Sequence, residues 1–275
     1  MTTARGRLTV DDVTLAYERR IVSHGLSLTI PDGSFTVIVG PNGCGKSTLL
    51  RAIARLMAPT GGAVLLDGRT VRSYPSKALA RTIGFLPQSA TAPDGVTVAD
   101  LVARGRYPHQ GPLHRWNGDD EDALRKAMIS TRTDELADRP VDELSGGQRQ
   151  RVWIAMALAQ ETPILLLDEP TTFLDIAFQL DVLDLLQDLH EQGRTLVAVL
   201  HDPAQAARYA THLIAMASGD VIAEGPPRDV ITTELIERVF GIGSTIIADP
   251  VTGAPIVIPR SRRDLRTPST EGPRS

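Results

Sequence analysis

Residues 40–48 read Gly40, Pro41, Asn42, Gly43, Cys44, Gly45, Lys46, Ser47 and Thr48, and residues 40–47 fit the spacing G-x-x-x-x-G-K-S/T. That spacing has a definite chemistry. Glycines let successive backbone N–H groups wrap phosphate oxygens, a lysine reaches the β- and γ-phosphates, and a serine hydroxyl can ligate Mg²⁺. The run lies between the apolar stretch SFTVIVG (34–40) and a helical pattern at 45–57, which is the strand–loop–helix setting the mechanism needs. Inside it, Cys44 reads as a small filler or as a thiol activated by the helix start, and alkylating it is expected to block nucleotide binding by bulk.

Two carboxylates form a second chemical group. ILLLDE (164–169) is apolar up to Asp168 and Glu169, and a strand end places such groups at the ligand edge of a parallel sheet. Asp168 can orient Mg²⁺, and Glu169 can face an attacking water as general base. Read alone, the DEP sequence is equally a surface turn. His201 follows TLVAVL (195–200) and Gln88 follows IGFLP (83–87), so both stand at strand ends. The histidine can donate to a γ-phosphate or hold the water; each residue alone is also an ordinary structural one. Tyr17 can stack on a base or belong to the core. A third group, Ser145, Gly146, Gly147 and Gln148, opens a strongly helical segment that runs to 160. Its free N–H groups and positive helix end suit an anion, so the chain carries two phosphate-type sites.

The elements that must position these groups alternate. Strand patterns at 34–40, 164–169, 195–200 and 212–216 are interleaved with helices at 45–57 and 175–191, the latter stopped by Gly193. Ile176, Leu180, Leu183, Leu186 and Leu189 recur there at helical spacing. Such alternation predicts an α/β fold with a mainly parallel sheet. LTVDDVTLAY, LSLTI, AVLLDG and IGFLPQ read as strands, the first of them forming a small antiparallel sheet beside the core. Residues 90–160 break the pattern with helices and no strand between them, which predicts a helical lobe inserted into the core.

Bulk composition bounds the partners. The chain has 275 residues, 42% hydrophobic and 23% charged, with a net charge of −4, which argues against a nucleic-acid partner. One cysteine excludes an internal disulfide and fits a reducing compartment. The first residues lack the apolar core of a signal peptide, and no stretch approaches the roughly 18 apolar residues of a membrane span. A cytosolic protein is expected, held at a membrane only through a partner.

Taken together and in order, Tyr17, the loop at 40–48, Gln88, LSGGQ (144–148), ILLLDE (164–169), TTFLD (171–175) and His201 resemble the nucleotide-binding subunit of ATP-binding cassette (ABC) transporters. The resemblance implies a P-loop NTPase cassette over 7–260, with an N-terminal antiparallel β subdomain, an inserted helical subdomain at about 90–160 and a flexible tail at 261–275. It also implies two cassettes packed head to tail, so that Ser145, Gly146 and Gly147 of one meet the γ-phosphate held by the other. Tyr17 then stacks on adenine, Gln88 touches Mg²⁺ or water and couples to the permease, Asp175 lies at the dimer seam, and His201 acts as the switch histidine.

No fused membrane helices, coiled coil or second cassette accompany the motifs, which favours a separate importer subunit. Residues 101–116, 149–175, 201–216 and the ending at 234–259 are most similar to ATPases that energise uptake of ferric siderophores, with haem and cobalamin importers as cousins. The resemblance implies a homodimer bound to integral membrane permease subunits at the cytoplasmic face, supplied indirectly by an extracytoplasmic siderophore-binding protein. Arg104, Arg106, His109 and Arg115 read as a solvated basic loop, and only the resemblance makes them a permease-docking surface. A soluble, non-transport ABC ATPase remains the alternative from another class.

Overall fold

The computed structural model describes residues 7–18, 20–111 and 116–261. Its first strands, β1 (Leu8–Tyr17) and β2 (Arg20–Ile30), pair antiparallel, with a register shift beside Asp12, whose φ is 48°. β3 (Phe35–Val39) is wholly buried and runs through the glycine loop into α1 (Lys46–Ile53). β4 (Gly61–Leu66) and β5 (Arg69–Thr70) return to complete a four-stranded sheet of order β2-β1-β4-β5. After α2 (Ser76–Ala80), β6 (Ile83–Leu86) enters a different sheet. IGFLP is therefore a strand of the core and not of the antiparallel layer.

The next stretch is helical among the described residues: α3 (Val98–Ala103), α4 (Gly118–Ser130) and α5 (Gly146–Ala159), with short 3-10 turns between them. Alternation then resumes with β7 (Ile164–Asp168), α6 (Ile176–Glu191), β8 (Thr195–Val199), α7 (Pro203–Tyr209) and β9 (His212–Ala217). β10 (Asp220–Gly225), α8 (Pro227–Val230), α9 (Thr233–Phe240) and the hairpin β11 (Ser244–Ala248) and β12 (Pro255–Pro259) finish the described chain.

The central sheet has the order β10-β9-β3-β8-β7-β6, parallel except for β10 at its edge. Both of its faces are covered, which is why its strands read as unbroken apolar runs. The period of two still sorts their side chains. Val37, Leu165, Leu167, Leu196 and Leu213 enter a core shared with α5, α6 and α7. Ile38, Leu166, Val197 and Ile214 enter a second core beneath α1 and the antiparallel sheet.

Several details depart from the sequence expectations. The helix expected at 45–57 stops at Ile53, because Arg55 takes φ 60° and its Nη1 donates to the Tyr74 carbonyl at 2.6 Å. In α6 the expected stripe is only partly a core face: Ile176 at the helix start is 77% exposed, while Val182, Leu183, Leu186 and Leu189 are buried. Arg106 is not a solvated basic residue. It is 5% exposed; its Nε donates to Asp120 at 2.9 Å and its Nη1 to Glu161 at 2.8 Å and to the Ala159 carbonyl at 2.9 Å. Arg115 and all of the expected tail except Ser261 lie outside the described residues.

Candidate functional site

Parallel strands bring their C-terminal ends to one edge, and β3, β8, β7 and β6 are consecutive neighbours in the sheet. The loop at 40–45 leaves β3, His201 lies two residues beyond β8, Asp168 and Glu169 close β7, and Gln88 lies two residues beyond β6. A cleft of about 580 Å³ opens at this edge, lined by the loop, Gln88, Glu169 and His201. Residues separated by more than a hundred positions in sequence thus meet because of strand order alone.

The loop's glycines are required by geometry. Gly40 has φ 154°, and a Cβ there would stand 2.1 Å from the Met216 carbonyl oxygen. Gly45, with φ 109°, sits at the N-terminus of α1, where no side chain caps the helix and no acidic residue occupies the first turn. Its amides and the positive helix end are therefore available to an anion. Lys46 is 5% exposed, and its Nζ donates to the Gly40 and Pro41 carbonyls at 2.8 and 3.0 Å. Its third contact is a long one, to Cys44 Sγ at 4.0 Å.

The cation-binding candidates are already in contact. Ser47 Oγ donates to Asp168 Oδ1 at 2.7 Å. Asp168 is completely buried, and its Oδ2 has no hydrogen-bond partner. Burial raises its carboxyl above the usual range, the Ser47 bond opposes that, and neighbouring Glu169 adds to it. A buried carboxylate with one orphaned oxygen beside a hydroxyl is a donor set suited to a hard divalent cation, which takes oxygen ligands.

Glu169 is 7% exposed and holds φ 55°, a left-handed conformation uncommon outside glycine. Its Oε2 accepts from Gln88 Nε2 at 2.6 Å and lies 2.7 Å from His201 Nε2. The Thr172 hydroxyl reaches the same oxygen at 3.2 Å, a contact the sequence reading does not contain. Backbone strain concentrated on a buried carboxylate at a cleft is the pattern of a working residue.

Tyr17 is 45% exposed at the end of β1 and lines the cleft mouth, so it is not core; its hydroxyl accepts from Arg51 at 3.3 Å. Arg20 and Val22 of β2 line the same mouth and were not anticipated. Asn42, Gly43, Gly45, Lys46, Ser47 and Thr48 line the cleft, whereas Gly40, Pro41 and Cys44 do not. Cys44 is 4% exposed and packs into the core beneath the loop, so alkylation from solvent does not reach it. Ser145, Gly146, Gly147 and Gln148 are absent from the lining too. They sit at the N-terminus of α5, with Ser145 and Gly146 exposed.

The profile of the family described as "ABC transporter" matches residues 23–172, more than half of the chain. The chain belongs to the ABC transporter family. It is 56% identical to the ferric enterobactin transport ATP-binding protein FepC of Escherichia coli (strain K12), over 95% of this chain and 97% of that one. It is 50% identical to a protein of Bacillus subtilis (strain 168) named "Probable siderophore transport system ATP-binding protein YusV", over 93% of both. Among solved structures, the dimeric ABC cassette MJ0796 in a post-hydrolysis state bound to ADP and Pi superposes with a TM-score of 0.72 at 30% identity, covering 80% of this chain and 99% of that one. This ABC cassette is an ATPase. Among the described residues no helix is long and apolar enough to cross a membrane.

Proposed function

We propose that the chain is the ATP-hydrolysing subunit that energises import of ferric siderophores through a membrane permease. It works as a homodimer on the cytoplasmic face, supplied indirectly by an extracytoplasmic siderophore-binding protein. The observation that carries the substrate class is the 56% identity with a ferric enterobactin transport subunit, sustained over 95% of the chain.

The site geometry supports a hydrolytic mechanism. The loop amides at 42–48 and Lys46 hold the phosphate chain of ATP, and Tyr17 at the cleft mouth stacks on the base. Ser47, Asp168 and Gln88 would hold Mg²⁺, whose bound charge would offset the negative charge of the phosphates. Glu169 takes a proton from a water as its oxygen bonds the γ-phosphorus, and the bond to the β–γ bridging oxygen breaks, releasing ADP. His201 donates to the γ-phosphoryl oxygens. Ser145, Gly146 and Gly147 of a second copy complete each site, so ATP joins the dimer and hydrolysis releases it.

Uptake of radiolabelled iron–siderophore tests this reading in cells carrying the native chain or Glu169→Gln at matched protein level. Uptake is expected to fall to background in the variant, while the purified variant still binds ATP. Unchanged uptake would overturn the siderophore assignment and direct the same assay to haem and cobalamin. Normal ATP turnover by Glu169→Gln would overturn the base.

A further inference from the structure

Three side chains from three segments converge on one oxygen of Glu169. Gln88 Nε2 comes from beyond β6 at 2.6 Å, His201 Nε2 from beyond β8 at 2.7 Å, and Thr172 Oγ1 from the turn after β7 at 3.2 Å. Gln88 and Thr172 donate hydrogen bonds to it and His201 makes an ion-pair contact; a carboxylate oxygen offers about two lone-pair sites, so the two hydrogen bonds saturate Oε2. Among the described residues no hydrogen bond reaches Oε1. The carboxylate is thus anchored by one oxygen and presents the other.

The three side chains are not equivalent. Gln88 and His201 line the cleft, where the reading above gives them other duties, on the cation or water and on the γ-phosphate. A side chain that turns to those ligands gives up its contact with Glu169. Thr172 has no such second duty, since it does not line the cleft. It is also bound to the residue it serves: its backbone N–H donates to the Glu169 carbonyl at 3.2 Å, closing a turn that sets the hydroxyl over the Glu169 side chain. Its β-branched side chain has few χ1 choices, which keeps the hydroxyl there.

We infer that Thr172 is a positioning residue for hydrolysis: its hydroxyl holds Glu169 Oε2 while Gln88 and His201 engage nucleotide and cation, and so keeps Oε1 toward the attacking water. The inference rests on Glu169 being the base. Thr172 touches no reacting atom and acts only through Glu169. Its removal leaves ATP binding intact and loosens the base, and misplacement of a reacting group on the order of 1 Å costs up to about a hundredfold in rate.

The test measures ATP turnover by the full chain assembled with its membrane subunits in liposomes, comparing the parent with Thr172→Val, Thr172→Ser and Glu169→Gln. Thr172→Val keeps the shape and loses the hydroxyl; its kcat is expected to fall about tenfold with the KM for ATP within about twofold of the parent. Thr172→Ser restores the hydroxyl and is expected to return kcat to within about twofold. Parental kcat in Thr172→Val would overturn the inference, as would a Ser variant as slow as the Val variant, which would assign the effect to the lost methyl. Collapse of turnover in Glu169→Gln together with parental Thr172→Val would sink the inference alone. Normal turnover in Glu169→Gln would sink the base reading and this inference with it.

Discussion

The helix that begins at Lys46 follows a glycine-bearing turn and the helix that begins at Gly146 opens on two glycines, yet their first turns are satisfied in opposite ways. At α1 no side chain caps the N-terminus, no acidic residue lies in the first turn, and the adjacent lysine is buried. At α5 Ser145 and Gln148 form a capping box, the Gln148 amide donating to Ser145 Oγ at 3.3 Å and the Ser145 amide to Gln148 Oε1 at 3.0 Å. The first terminus is left electrostatically incomplete inside a cleft, which suits an anion held in place by the chain itself. The second is self-sufficient and exposed, which is compatible with the proposed meeting with a phosphate already held by another chain.

Substitutions can break this contrast. The largest effect is expected at Lys46→Ala, which removes the buried cation of the first terminus: ATP turnover should fall roughly a hundredfold or more, read by phosphate release. A parental rate would mean that the loop amides suffice. Next comes a matched pair of glycine replacements. Gly40→Ala places a methyl 2.1 Å from the Met216 carbonyl at φ 154°, whereas Gly146→Ala has nothing within 4 Å of the added carbon. The first should lower stability by about 1–3 kcal/mol or more, and the second should leave it level or raise it by up to about 1 kcal/mol through helix propensity, both read by urea unfolding. Equal effects would erase the difference between the two turns. The smallest effect is expected at Ser145→Ala, about 1 kcal/mol from loss of the cap in the same measurement. An unchanged midpoint would show that the capping box contributes nothing in solution.

Much of the site was legible because its residues stand at the ends of apolar runs. Asp168, Glu169, His201 and Gln88 each follow a strand pattern, and parallel packing turns that shared local position into a shared edge. What the pattern cannot contain is which atoms meet. That Gln88, His201 and Thr172 share one carboxylate oxygen depends on side-chain geometry across three loops. For Cys44 the sequence left a small filler and an activated thiol both open; its burial in the core agrees with the filler, and spacing alone does not say that the thiol faces inward. Arg106 was read as solvated because a charge in an irregular segment normally is, and its partners Asp120 and Glu161 lie 14 and 55 positions away. The elements after β9 carried little periodic signal, since α7 and α8 have only 7 and 4 residues and β10 is an edge strand.

The Arg106 guanidinium has a mechanical consequence. It ties the segment after α3 to Asp120 in the first turn of α4 and to the Ala159 carbonyl at the end of α5, where no solvent loosens the joint. The 14 residues of α5 form a rod about 21 Å long whose other end is Ser145. Clamped at one tip, that rod turns as one piece with the joint, so a tilt of the joint is carried along the helix to Gly146 at its far end.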